Sequence, residues 1–227
     1  MKKIVALLFF CLTQAIVYSQ DLVNVIFNGA STVSAFSFRT DQGVIIKVSA
    51  DGKVLEWGTE MENYRYNYYP GKLLPYMGRV DNYGTEADAA SQGKVKSIGT
   101  ALLTYYPATE TEAKAGKLKS IGRVQFDYYD LYENVALKGK LKMAGITGFT
   151  YYASHENESL VGKLKTVANT SLTYYTSFDD KLIRGKIKSI GNYQYTWYTS
   201  NSGTGYQGAL KSGNIYQIIN GVNYIIF

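Results

Sequence analysis

Apolar and polar residues alternate along this chain in a pattern that returns at a fixed interval. Counted from Gly116 as position 0, Leu118 stands at position 2, Phe126 at 10, Tyr128 at 12 and Leu137 at 21. The pattern restarts at Gly93, Gly116, Gly139, Gly162, Gly185 and Gly208, each 23 residues after the last. Position 2 is always aliphatic, as in Val95, Leu141, Leu164, Ile187 and Leu210. Position 10 is Leu103, Phe126, Phe149, Leu172, Tyr195 or Ile218, and position 12 is Tyr105, Tyr128, Tyr151, Tyr174 or Trp197. Spacings of two inside GKLK and FDYY match the strand period, in which successive side chains face opposite ways. The fixed interval is the mark of a repeat architecture.

The parity of the interval constrains the turns. Two strands per repeat, at positions 20–4 and 8–14, need an odd loop between them if positions 2 and 10 are to share a face. A three-residue loop at positions 5–7 pairs 2 with 10 and sets the tag Gly opposite the Tyr or Trp at 12, where a ring can cover a strand glycine. A four-residue loop at positions 15–18 then leads to the next copy. One face becomes Leu, Gly, Phe and Tyr. The other carries Lys at positions 1 and 3, Thr or Asp at 11 and Tyr at 13. A one-sided sheet must cover its apolar face. It can curl on itself, coil as a solenoid, or pack against the N-terminal region. The expected fold is all-β: tandem 23-residue β-hairpin repeats in an extended or curled antiparallel meander sheet, with a β-rich N-terminal cap.

Upstream, Leu22–Phe27, Thr32–Arg39 and Val44–Ser49 read as strands, with a turn at Asn28-Gly29. Asp51-Gly52, between IIKVSA and KVLEWG, signals a tight hairpin. Asn63–Tyr69 is rich in Tyr, and PGKLLPYMG from Pro70 is a decayed copy of the tag. Asp81–Gln92 lacks strand character and reads as a loop or a short helical turn. The expected organisation is a signal peptide over residues 1–19, an N-terminal cap with degenerate repeats over 20–92, and six tandem repeats over 93–227. Asn220-Gly221 predicts a last hairpin that closes an edge.

The first residues read as an export signal. Lys2 and Lys3 precede the apolar stretch Ile4–Val17, which is too short to span a bilayer comfortably. Cleavage after Ser19 leaves Gln20 as the new terminus. It lowers the formal charge from +6 to +4, because two lysines leave, and it removes Cys11, the single cysteine. The mature chain then has no disulfide and no thiolate chemistry. The expected location is periplasmic, cell-surface or extracellular, with no membrane span.

Composition narrows the chemistry further. The chain has 227 residues, 22 of them Tyr, and one histidine. Strand-forming aromatics fit the all-β reading. His155, in ASHENE, has only sequence neighbours in Ser154 and Glu156, whereas a catalytic triad needs an orienting acid and a nucleophile. There is no GxSxG, P-loop or His cluster, and Asp179-Asp180 lacks calcium-loop spacing. Paired acids such as Glu156 and Glu158 could serve a glycosidase in principle, but turn solubility explains them. The sequence therefore predicts no catalytic residue, metal site or cofactor.

The candidate binding feature is the polar face. Lys117, Lys119, Lys140, Lys142, Lys163, Lys165, Lys186 and Lys188 recur with the period, beside Tyr106, Tyr129, Tyr152, Tyr175 and Tyr198. A basic, aromatic ladder can hold an anionic polymer by charge and stacking. The same residues also keep an exposed sheet soluble and stabilise cross-strand neighbours. Two functions follow as expectations: a non-catalytic envelope or extracellular structural or interaction module, and a binder of anionic glycan. Partners would be envelope polysaccharide or another envelope protein; the modest charge of an exported chain argues against nucleic acid. An outer-membrane barrel is a minor alternative, since the chain is Tyr-rich and ends in Phe227, but its strands are short for it.

Over Gly93–Phe227 the repeat resembles the MORN repeat, carried by Gly at position 0, Lys at 1, Gly at 6 and the later Tyr. The position 4 Gly of that family is Ser97, Ser120 or Met143 here, and the Tyr-x-Gly-x-Trp lead-in is missing. The resemblance implies extended hairpin sheets. A closer likeness is to secreted bacterial proteins with tandem GKLKSIG-type units, which implies export.

Overall fold

The computed structural model describes residues 22–61, 70–203 and 205–227. The expected signal segment Met1–Ser19, with Cys11, and the Tyr-rich Asn63–Tyr69 lie outside the described residues. Those residues form 20 strands and no helix. In chain order they are β1 (Leu22–Asn28), β2 (Thr32–Arg39), β3 (Val44–Val48), β4 (Val54–Glu60), β5 (Leu73–Pro75), β6 (Val80–Asn82), β7 (Val95–Ile98), β8 (Ala101–Tyr105), β9 (Leu118–Ile121) and β10 (Val124–Tyr128). There follow β11 (Leu141–Ala144), β12 (Thr147–Tyr151), β13 (Leu164–Val167), β14 (Thr170–Tyr174), β15 (Ile187–Ile190), β16 (Tyr193–Gln194), β17 (Thr196–Trp197), β18 (Leu210–Ser212), β19 (Tyr216–Ile219) and β20 (Val222–Ile226).

The repeats build an 11-stranded antiparallel meander from β6 to β16 in chain order. A second sheet of seven strands runs β19-β20-β1-β2-β3-β4-β5, and β17 and β18 form a small pair. Neither large sheet closes on itself. The architecture is the expected all-β hairpin meander. Of the three ways to cover its apolar face, the molecule uses the third: the seven-stranded sheet lies over it. Phe36 meets Phe149 with ring centroids 4.6 Å apart, and Phe38 meets Phe126 at 4.9 Å. One apolar core joins Val25, Phe36, Phe38 and Ile46 to Leu118, Phe126, Leu141 and Ile187.

Leu118 and Phe126 are both buried in that core, so positions 2 and 10 do share a face. The loop that permits it differs from the expectation. The hairpin turn is two residues, Gly122-Arg123, because Ile121 pairs with Val124 and Ser120 with Gln125. An even loop alone would invert position 2. A β-bulge at Lys119 restores the phase: Ser120 pairs with Thr104 and Leu118 with Tyr105, leaving one extra residue between them. The same shift recurs where Tyr128 pairs with Leu141, Tyr151 with Leu164 and Tyr174 with Ile187. Position 11 therefore faces position 4 of the next repeat, not the lysine at position 1.

The tag glycines also have a different reason. Gly116, Gly139 and Gly162 take φ of 73°, 73° and 74°. They close the turn before each inner strand, as when Lys140 N–H donates to Leu137 O and Gly139 N–H to Tyr129 O. A left-handed backbone, which a Cβ disfavours, fixes glycine there rather than a ring across the strand.

Two further boundaries move. Asp81 and Asn82 lie in β6, the first strand of the repeat sheet, although Asp81–Gln92 reads as a loop; the rest of that segment is turns. The last copy leaves the meander. Its hairpin turns at Asn220-Gly221 as expected, with φ of 51° and 81°, but β20 joins β1 in parallel and β19 becomes an edge of the other sheet. Ile218 is accordingly exposed, unlike every earlier position 10.

Candidate functional site

Each repeat hairpin is zipped at its turn and open at its other end. Between β9 and β10 only two residue pairs form. Beyond them the backbone needs other partners, since a buried carbonyl without one is costly. Tyrosine supplies them. The Tyr128 hydroxyl donates to Leu118 O of its own repeat at 2.7 Å, and Tyr106, from the preceding repeat, donates to Phe126 O at 2.8 Å. The first bond recurs from Tyr105 to Val95 O, Tyr174 to Leu164 O and Trp197 Nε1 to Ile187 O. The second recurs from Tyr129, Tyr152 and Tyr175 to Phe149 O, Leu172 O and Tyr195 O. The two rings meet edge to face across the repeat boundary, Tyr106 against Tyr128 at 6.2 Å and Tyr152 against Tyr174 at 5.9 Å. Tyr198 is instead tilted against Tyr206 at 5.5 Å.

The lysines complete this wedge in two separate rows. Position 1 lysines lie over the position 12 ring of their own repeat: Lys117 over Tyr128 at 5.4 Å, Lys140 over Tyr151 at 5.3 Å, Lys163 over Tyr174 at 5.5 Å and Lys186 over Trp197 at 4.6 Å. Position 3 lysines lie over the position 13 ring of the repeat before: Lys119 over Tyr106, Lys142 over Tyr129, Lys165 over Tyr152, Lys188 over Tyr175 and Lys211 over Tyr198. The single Lys/Tyr face predicted from alternation is thus divided, because the bulge and the early end of the strands break the alternation on which it rests. Tyr106, Tyr129 and Tyr175 are half-buried against the core, and Tyr152 is buried.

Position 1 is where the two sheets are joined. Lys117 Nζ donates to Asp51 O at 2.7 Å, and Lys163 Nζ to Ser31 O and Oγ at 3.0 and 2.6 Å. Lys94 and Lys186 reach the carbonyls of Gly116 and Gly208. Beside them the turn carbonyls of Gly52, Ala50 and Ala30 accept from Leu118, Leu141 and Ile187 N–H. Gly52 stands at φ 81°, and a Cβ there would overlap the Tyr128 hydroxyl and ring. Burial pushes the pKa of Lys94, Lys117, Lys140, Lys163 and Lys186 down. It pushes the phenols of Tyr105, Tyr128, Tyr151 and Tyr174 well up.

Position 3 faces the connecting loops. Lys142 pairs with Glu133 at 2.5 Å and Lys165 with Glu156 at 2.8 Å, and these lysine hydrogen bonds hold both glutamates below the usual carboxylate range. Lys119 and Lys188 are exposed and make no ion pair among the described residues. His155 is exposed in a loop. Among the described residues no cluster of His, Cys, Asp or Glu has metal-holding geometry, and no helix is long and apolar enough to cross a membrane.

Position 12, central to the arrangement, carries a signal in the sequence: in the five copies from Gly93 to Gly185 it is Tyr or Trp and never Phe, so each ring has a hydrogen-bond donor. The docking turns at Ala30 and Ala50–Gly52 have no comparable mark. Compared with protein-family models, curated proteins and solved structures, the chain matches none.

Proposed function

We propose that the protein is a non-catalytic exported repeat module with a structural or interaction role in the envelope or outside the cell. One observation carries this reading: the residues with the strongest binding chemistry, the position 1 lysines and the position 12 rings, are used within the fold. They fill hairpin mouths and tie the two sheets together. Expression of the full chain in a bacterial host with fractionation tests the export half. A mature form beginning at Gln20 outside the cytoplasm is the expected result; an intact cytoplasmic precursor overturns it.

The second reading, an anionic glycan held by the lysine row, draws support from Lys119 and Lys188, each exposed over a ring without a carboxylate partner. A pull-down on acidic polysaccharide separates the two. Retention at low salt that high salt releases, and that K119A/K188A weakens, favours the glycan reading. No retention at low salt discards it.

A further inference from the structure

The long connections between repeats stack along one rim of the meander. They fold alike: the backbone N–H of Glu133, Glu156 and Asp179 donates to Asp130 O, Ala153 O and Thr176 O at 3.4, 3.1 and 3.1 Å. Each is bonded to the next. Asn134 Nδ2 donates to Ser154 Oγ at 3.2 Å and Asn157 Nδ2 to Ser177 Oγ at 2.8 Å, and Asp180 accepts from Ser200. The salt bridges from Lys142 to Glu133 and Lys165 to Glu156 anchor two of these loops to the sheet.

On this scaffold position 16 is Tyr132, His155 and Phe178 in three consecutive loops. Tyr132 is 94% exposed and Phe178 92%, and His155 is exposed between them. The loops advance by two strands per repeat, so the three rings follow one another at roughly 10 Å. Large rings held in water at regular spacing call for a partner. Three rings in single file supply less than the roughly 800 Å² per side, around an apolar centre, that a protein interface buries. The same loops carry the amide and hydroxyl groups of Asn134, Ser154, Asn157 and Ser177, which bond loop to loop. An acid follows each ring, Glu133, Glu156 and Asp179, which disfavours a polyanion.

We propose that Tyr132, His155 and Phe178 form a stacking row for a neutral, extended β-linked glycan. In such a chain every second sugar presents the same face, a repeat close to the loop spacing. Each ring stacks on a sugar while the loop amides and hydroxyls bond its oxygens, and the weak contacts add along the polymer. The proposal uses a different surface, and a different force, from the lysine row.

Retention of the purified full chain on microcrystalline cellulose and on chitin, at low and high salt, tests it. The expected result is retention on at least one solid that salt does not release. Y132A and F178A should each weaken it about tenfold, as loss of one stacking ring does, and H155W should strengthen it. The side chains are exposed, so melting curves should not move. Three results overturn the proposal: no retention on either solid, equal retention of Y132A/F178A and the unmodified chain, or retention that high salt abolishes and Y132A/F178A leaves intact. The last assigns binding to the lysines instead.

Discussion

The two large sheets solve the same backbone problem by different means. In the seven-stranded sheet, β1 and β2 pair over six residue pairs and β3 and β4 over five, so the ladder satisfies the backbone. In the meander each hairpin pairs over two residues, and phenols and an indole reach the carbonyls that the ladder abandons. The first sheet depends on strand length. The second depends on a donor at the tip of a large ring, repeated once per copy. The first should therefore tolerate loss of a hydroxyl, and the second should not.

Truncating Tyr128 to Ala is the most damaging test of this contrast. It removes a buried ring and leaves Leu118 O unpaired, and should cost about 3–5 kcal/mol in chemical denaturation. Gly52→Ala strikes the joint between the sheets instead. Its left-handed backbone and its contact with Tyr128 should make it cost about 2–3 kcal/mol, with the melting transition lowered accordingly. A sharper comparison removes only oxygen. Tyr128→Phe and Tyr174→Phe should each lose about 1–2 kcal/mol, because a buried acceptor loses its donor. Tyr151→Phe should change stability by less than about 0.5 kcal/mol, because the Tyr151 hydroxyl has no partner to lose. Equal effects at all three positions would refute the role assigned to these hydroxyls.

Titration probes the same rings together. Tyr105, Tyr128, Tyr151 and Tyr174 have folded pKa values raised by burial. Above the ordinary tyrosine value, near 10, the unfolded chain loses protons that the folded chain keeps, so stability falls as pH rises. The position 1 lysines have lowered values and act in the opposite sense over the approach to pH 10, where stability rises slightly as the buried charge is neutralised. Melting temperature against pH should thus hold or rise toward pH 10 and then drop, with the tyrosinate absorbance of these buried rings appearing only as the protein unfolds. The smallest effect is expected at the surface: Lys119→Ala should change stability by less than about 0.5 kcal/mol, against about 1 kcal/mol for Lys163→Ala, which loses its bonds to Ser31.

What could be read from residues alone follows from these mechanisms. The interval of 23 and the apolar set at positions 2, 10 and 12 place Leu118, Phe126 and Tyr128 in the core, because burial of one face depends on pattern. The bulge at Lys119 was not legible, since nothing about lysine marks an extra residue in a strand. Without it, counting gave a three-residue loop and put Lys117 on the outer face. The covering sheet was legible as strands, but its docking was not. The carbonyls of Ala30, Ala50 and Gly52 act through the main chain, and main-chain acceptors look the same in every residue. The exposed row at Tyr132 and Phe178 depends on loops stacking in register, which only coordinates reveal.

The parallel pairing of β20 with β1 sets an order of events. Asn223 Nδ2 donates to Asn24 Oδ1 at 2.9 Å across 199 residues of chain. The first described strand to be synthesised therefore waits for the last before its open border is filled. Contacts so distant along the chain slow folding, and until the C-terminus arrives that border is a ready template for another copy. Folding of this protein should depend on a holdase that shelters the unfinished seven-stranded sheet, more than on any factor acting on the repeats.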